Sequence, residues 1–368
     1  MADAVVVGGG IAGTATAYHL QVAGIDTVLI DRNDDGQATR AGAGIISPPT
    51  SSRTDIDPWY TFATDAVAYV PTLNDALATA GVEATSYRRQ GMLSIAVDEQ
   101  GLAGFEATID RLAARDVAGI EEIDPDEAVA LCPVIDRPLR AFYYQDAARL
   151  EGTVYTDALE TAARTNGVRV HSGDVTELRW DGDRVAGVVL ADGASLDAND
   201  VVIAGGAWSA AFGAELPIDV PVTPLRGQIV HLECDEATAD WPIINGVGHY
   251  YVVPWPDGRL VCGATREEAG YDPRVTVDGL QAVFAGTTTM APGLGDATVV
   301  ETRVGLRPAS PDGLPILGSV AGVEGVHLAT GFGPTGLTLG PYSGKLVAEG
   351  IIAGDSVVPA ACDCNRFG

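Results

Sequence analysis

The chain has 368 residues, 46% hydrophobic and 20% charged, which is enough for two domains and a large core. Its net charge of −28, from 50 acidic against 22 basic residues, repels nucleic acid and anionic membranes. The acids are spread along the chain, which excludes a disordered acidic tail, and no apolar run reaches the ~20 residues of a membrane-spanning helix. Positive charge is almost all arginine, with Lys345 the only lysine. Self-repulsion on this scale is tolerable where salt screens it, since the Debye length falls to about 3 Å at 1 M. The balance predicts a salt-adapted protein of the halophilic archaeal kind. The N-terminus runs straight into a strand pattern and leaves no room for a signal peptide, so a cytoplasmic location is expected. The five cysteines, Cys132, Cys234, Cys262, Cys362 and Cys364, are irregularly spaced and form no Cys-x-x-Cys. They predict reduced thiols, with Cys362 and Cys364 in a packed or disordered tail, and no metal site.

In chain order, Ala4–Val7 reads as a short buried strand, followed by Gly-x-Gly-x-x-Gly at Gly8, Gly10 and Gly13. A helix follows to a stop at Gly24, then a second strand, Thr27–Ile30, with Asp31 at its end. Gly8 permits the sharp turn, Gly10 lets a pyrophosphate approach the backbone, and Gly13 lets helix and strand pack closely. The helix N-terminus offers unpaired N–H groups to phosphate, and Asp31 is placed to accept ribose hydroxyls. Strand, helix and acid together point to a dinucleotide without saying which one.

The polar loop Asn33–Gln37 leads into a run of small residues, Ala38–Pro48, that lets backbone lie against a flat ligand, and Ile45 and Ile46 predict that it is buried. Helical spacing recurs from Pro58 to Gly81, with Pro71 as the expected break or kink. Gly91–Val97 reads as a strand, 101–118 as a helix and Ala141–Tyr144 as a strand. A helix from Leu150 through Arg164 stops at Gly167, before a strand at Val168–His171. Val175–Trp180 and Val185–Leu190 form a hairpin pattern, and Asp200–Ile203 runs into Gly205-Gly206. From Val222 to Thr265 alternating strands, Gly227–Cys234, His249–Pro254 and Arg259–Ala264, predict an antiparallel sheet, and Val275–Met290 predicts a helix. The last block, Thr302–Gly318, precedes a strand at Val326–Thr330 and a second glycine-rich turn, Gly331–Gly336, that opens a final helix through Ile352. The fold class is α/β: a Rossmann-like nucleotide domain from 1–85, 151–222 and 300–368, with a discontinuous antiparallel (α+β) substrate domain from 86–150 and 223–299. Two glycine-rich helix starts suit a long, two-ended ligand such as FAD.

On Val5–Gly13 with Asp31, Thr39–Ile46, Val201–Ser209, Pro224–Gln228, Gly305–Pro308, Pro311–Gly318, Gly331–Gly336 and the ending Asn365-Arg366-Phe367, the chain resembles the D-amino-acid oxidase-like FAD enzymes over nearly its whole length. That family includes glycine oxidase, sarcosine oxidase and D-amino-acid dehydrogenases. The resemblance implies oxidation of the C–N bond of a small amino acid (a D-amino acid, glycine or N-methylglycine) by hydride transfer from Cα to flavin N5. It implies that Arg307 and Tyr251 hold the substrate carboxylate. Arginine's planar fork suits that task. Tyr250, one residue away, would face the opposite side of a strand. The resemblance also implies a cofactor site built from Gly8, Gly10, Ile11, Ala12, Gly13, Asp31, Arg32, Thr39, Arg40, Gly44, Ile45, Ile46, Val175, Gly205, Trp208, Arg307, Gly333, Pro334, Thr335, Gly336, Leu337 and Thr338.

Two departures stand out. Pro334 occupies a loop position where some amino-acid oxidases carry a second basic anchor, and no cysteine lies between Cys262 and Cys362 to tether the flavin, so noncovalent FAD is expected. No dedicated base is evident, and none is needed if the neutral amine reacts directly; His249 reads as a satisfied strand histidine. The electron acceptor stays open between oxygen, a quinone and a carrier protein. Other readings that the residues allow are a 2-hydroxy-acid or glycerol-phosphate dehydrogenase, a noncatalytic FAD-binding subunit, and a plain NAD dehydrogenase.

Overall fold

Two eight-stranded sheets organise the chain in a computed structural model that describes residues 2–51, 53, 57–82 and 84–368. In the first sheet, Ala2–Val7 lies between Thr27–Asp31 and the C-terminal half of Ser195–Ile203, parallel to both. Arg169–Ser172 and Val326–Thr330 extend it in parallel on either side. The burial patterns explain the arrangement: Val5, Val6, Val28, Leu29, Val201 and Val202 are all fully buried, as strands covered on both faces must be. The hairpin Val175–Asp181 and Arg184–Leu190 then pairs antiparallel with the first half of Ser195–Ile203.

Helix Ile11–Val22 carries almost no polar face; nine of its residues are buried, because it is enclosed by other elements. The final helix, Gly336–Ala353, lies directly against it. A Cβ on Gly340 would stand 2.8 Å from the Ile11 side chain, and one on Gly344 would stand 2.7 Å from the Thr16 backbone nitrogen. These small residues let the two helices approach until both N-termini reach the same cavity.

The second sheet runs in the order Thr298–Ala309, Thr223–Glu233, Arg259–Gly263, Tyr251–Pro254, Ile243–Gly246, Met92–Ala96, Arg140–Tyr144, Ile120–Ile123. It is antiparallel as the alternation predicts, except that Ile243–Gly246 and Met92–Ala96 pair in parallel. These two strands come from distant parts of the chain, and no local turn sets their direction. The expected boundary at 300 cuts a strand: Thr298–Ala309 pairs with Thr223–Glu233 along its whole length, so its first half belongs with the second sheet. Local motif order could not show this, because the same strand ends beside the glycine-rich turn, where Ala309 bridges to Phe332.

The expected break at Pro71 is absent: Asp57–Thr79 is one helix that passes through the proline. Pro71 is exposed, so the Val67 carbonyl left without its partner can turn to water. Cys362 and Cys364 are fully buried in a packed C-terminal segment, and burial pushes the Cys364 thiol up to about 12. Among the described residues no three His, Cys, Asp or Glu side chains gather to hold a metal, and no helix is long and apolar enough to cross a membrane.

Candidate active site

One large cavity, about 1090 Å³, runs from the first glycine motif to the second sheet. It is at the upper end of the range for small-molecule sites, with room for a dinucleotide and a small second ligand. At one end the chain turns on Gly8, whose φ of +112° favours glycine. A Cβ there would sit 2.4 Å from the Ala204 carbonyl oxygen, and one on Gly13 would sit 1.9 Å from the Gly8 oxygen. The strand, the turn and the helix are therefore packed backbone to backbone. The helix has no side-chain cap from Gly10 and no acid in its first turn; the Ile11 N–H donates to Thr39 Oγ1 at 3.2 Å. Its positive end faces the cavity. Asp31 accepts a hydrogen bond from the Gly9 N–H, and its other oxygen accepts from the Asn33 N–H at 2.6 Å and Gln37 Nε2 at 3.1 Å. Arg32 lies over the Trp208 ring, 5.3 Å from its centre, and closes this end with Val175 and Gly205. The final helix also begins on the cavity, at Gly336, without a side-chain cap or an acid in its first turn. This cradle of close-packed glycines, two helix N-termini and a fixed carboxylate fits a dinucleotide that reaches from one helix to the other.

The other end is built on the second sheet. Arg307 extends over Gly227 on the neighbouring strand, where a Cβ would meet its guanidinium at 2.2 Å. It donates to the Thr265 carbonyl at 2.9 Å and has no carboxylate partner among the described residues. Burial lowers its proton affinity, yet a guanidinium remains charged. Tyr251 stands beside it, and burial, only partly opposed by Arg307, pushes the phenol up to about 12. The hydroxyl therefore stays a proton donor at neutral pH. Behind them Arg226 is held by Glu267 and Asp272, and Glu267 also accepts from Gln228 at 2.7 Å. Arg226 is buried while both of its carboxylate partners are partly exposed, and the network ties the residues at the floor of the site together.

The structure brings most of the sequence-predicted residues to this one cavity and leaves out three. Gly13 is packed beneath its wall, Ile46 faces the core, and Arg40 is exposed and donates to Gln37 at 2.7 Å. In Arg40's case the small-residue loop turns the side chain outward while its backbone stays near the wall. His249 precedes the strand instead of lying in it, and its Nε2 pairs with Asp98 at 2.9 Å. Tyr250 and Tyr251 both border the cavity, although they have different neighbours: Tyr250 packs on Gly286 of helix Val277–Met290. Sequence reasoning missed Arg53 and Arg266, which also line the cavity. Arg266 follows the end of the predicted strand Arg259–Ala264, a position where functional side chains concentrate; Arg53 carries no comparable signal.

Comparison with known proteins bears directly on this geometry. The family model described as FAD dependent oxidoreductase (DAO) matches residues 3–350. The chain belongs to this family. It is 36% identical over 354 residues to the uncharacterized oxidoreductase YurR of Bacillus subtilis, covering 95% of this chain and 94% of that protein. It is 32% identical over 369 residues to glycine oxidase of Pseudomonas putida, covering 97% and 96%. The crystal structure of iminodiacetate oxidase (IdaA) from Chelativorans sp. BNC1 superposes with a TM-score of 0.90 at 34% identity, covering 99% of this chain and 98% of that one. The protein is thus an FAD-dependent oxidoreductase, and FAD is the dinucleotide that the glycine cradle fits.

Proposed function

We propose that this enzyme oxidises the C–N bond of a small amino acid, with its carboxylate held by Arg307 and Tyr251. The observation that carries the reading is Arg307: a guanidinium without a carboxylate partner, beside a protonated phenol, in the same cavity as the FAD cradle. Relatives named for glycine and for iminodiacetate support an amine substrate with a carboxylate on the adjacent carbon. Bound noncovalently, FAD supplies the acceptor for the electron pair of the Cα–H bond. Arg307 receives the carboxylate through two N–H groups, and Tyr251 donates a third hydrogen bond, which fixes Cα in position. No dedicated base is assigned: His249 pairs with Asp98 at 2.9 Å, and none is needed if the neutral amine reacts directly. The assigned cofactor contacts are Gly8, Gly10, Ile11, Ala12, Asp31 and Val175 at the nucleotide end, and Gly44, Ile45 and Gly333–Thr338 toward the reacting end. The two sheets correspond to a cofactor domain and a substrate domain in this reading.

The test is anaerobic mixing of the holoenzyme with D- and L-amino acids, glycine, N-methylglycine and 2-hydroxy acids while flavin absorbance is followed. Bleaching by amino acids is expected. Bleaching by 2-hydroxy acids alone, or by nothing in the panel, overturns the reading. The same proposal includes a salt-rich cytoplasm, on the charge of −28. Thermal unfolding should shift upward with added KCl, and full stability at low salt would remove that part.

A further inference from the structure

A basic cluster lies outside the flavin cavity, around Trp255. Arg149 is 2% exposed, and its guanidinium has neither a hydrogen bond nor an ion pair among the described residues. Its Nε is enclosed without a partner, and so is Nε1 of Trp255, which is 5% exposed. The two donors belong to one stack: Arg149 Cζ lies 4.0 Å from the centre of the Trp255 ring. Arg259 Cζ lies 5.0 Å from the centre of the same ring. Stacking serves the flat face of a guanidinium and leaves its in-plane N–H groups unsatisfied. Buried donors in native proteins are paired with protein, with water or with an ion. The fold brings these groups together from separate places. Arg149 is on the middle strand of the three-stranded sheet, between Ile45–Ile46 and Arg88–Arg89. Trp255 and Arg259 flank the turn that joins Tyr251–Pro254 to Arg259–Gly263 in the second sheet, where the Trp255 N–H donates to the Arg259 carbonyl at 2.8 Å. None of Arg88, Arg149, Trp255 and Arg259 lines the flavin cavity.

Charge decides between a water and an ion. Arg88 stands directly opposite Arg149 in an antiparallel pair, where like charges are destabilising. Burial, with the charges of Arg88 and Arg259, lowers the Arg149 pKa to about 10, and Asp257 opposes this only in part. The nearby acids are loosely held or shared. Asp240 is 3.8 Å from Arg88 and Asp257 is 3.7 Å from Arg259, and both are exposed. Glu151, 3.5 Å from Arg259, is also held by Arg303 at 3.3 Å. A water would satisfy the free donors and leave the repulsion among three guanidinium groups in place; an anion relieves both. Because Arg149 and Trp255 are enclosed, the occupant is small.

We propose that Arg149 and Trp255, with Arg88 and Arg259 around them, form a binding site for a small inorganic anion of the chloride class, and that the bound ion ties the three-stranded sheet to the second sheet. The site is independent of the substrate reading above. It also divides the action of salt on this chain into two parts. Screening of the net charge of −28 follows ionic strength. Filling a site follows the identity and concentration of the anion and stabilises by mass action.

The experiment measures the unfolding midpoint of the FAD-loaded enzyme in KCl and in potassium gluconate at equal ionic strength. The chloride-minus-gluconate difference in the wild type should exceed that in Arg149→Met and in Trp255→Phe by about 2–4 °C. Comparing differences cancels what the two salts do to any protein and any general loss of stability in the variants. Crystals of the wild type grown in KBr locate the ion directly, and decide the matter should neither variant fold. An anomalous bromide peak in hydrogen-bond contact with Arg149 is expected. A water or empty density at that place, bromide only on exposed arginines such as Arg88 (an adventitious ion only), or equal salt differences in the wild type and both variants overturns the site.

Discussion

The two ends of the cavity are built by different means. The nucleotide end comes mainly from one continuous stretch, Ala2 to Asp31, and holds its ligand with backbone: glycines, helix N–H groups and one carboxylate. The other end is assembled from Arg53, Tyr251, Arg266 and Arg307, residues far apart in the chain, and presents side-chain charge to the cavity. Backbone recognition tolerates little change because the atoms have nowhere to go. Side-chain recognition can be retuned one residue at a time, which fits a family whose named substrates differ while the cofactor stays the same.

Four measurements sharpen or break that comparison. The largest effect should come from Gly13→Ala, whose Cβ would lie 1.9 Å from the Gly8 oxygen. A loss of about 3 kcal/mol or more is expected from overpacking, seen as protein purified without flavin absorbance or with a lower unfolding midpoint. Wild-type flavin content and stability would show that the backbone has slack there. Next, Arg307→Ala should lower kcat/KM for carboxylate substrates by ~100-fold and leave FAD bound. Unchanged kinetics would remove Arg307 from the site, and loss of FAD would mean that the two ends are not separable.

The third concerns the sheet behind the substrate end. His231 is 2% exposed, and burial, with Arg303 and Arg259 nearby, lowers its pKa from 6.5 to about 4. His19 is lowered to about 4 by burial and Lys345. The unfolded chain therefore binds these protons first. Stability is fully present above pH 6.5 and falls as pH drops through the window toward 4, by roughly 2–3 kcal/mol for His231. Denaturant unfolding at pH 7 and pH 5 in high KCl, where screening suppresses the acidic self-repulsion, checks this. His231→Gln should flatten the dependence, and an equal slope in the variant would sink the assignment. The smallest effect is expected for Asp31→Asn: about tenfold weaker FAD binding, measured by apoprotein titration, where an unchanged affinity would remove Asp31 from the cofactor site.

Much of the fold was legible because its signals are local. Val5–Val7, Gly8–Gly13 and Asp31 stand in one strand–helix–strand unit, and each residue type has one physical reason to be there. The hairpin at 175–190 announced itself by alternation and a glycine turn. Arg307 was reached through resemblance, and its setting over Gly227 needed the pairing of Thr298–Ala309 with Thr223–Glu233. Spacing left open whether the helix breaks or only kinks at Pro71, because a proline's effect depends on which face carries it, and packing decides that face. Arg53 was invisible because nothing in its neighbours distinguishes it from a surface arginine.

The sequence by itself determined that the chain binds a dinucleotide and where its first helix and strands run. Those features depend on contacts between residues close in the chain, so composition and spacing carry them. Only the tertiary structure decided that Arg53, Arg266 and Arg307 share one cavity, that Arg40 turns away from it, and that the strand at 298–309 belongs to the second sheet. Charge and strand pairing act across space, between residues that the sequence does not place together.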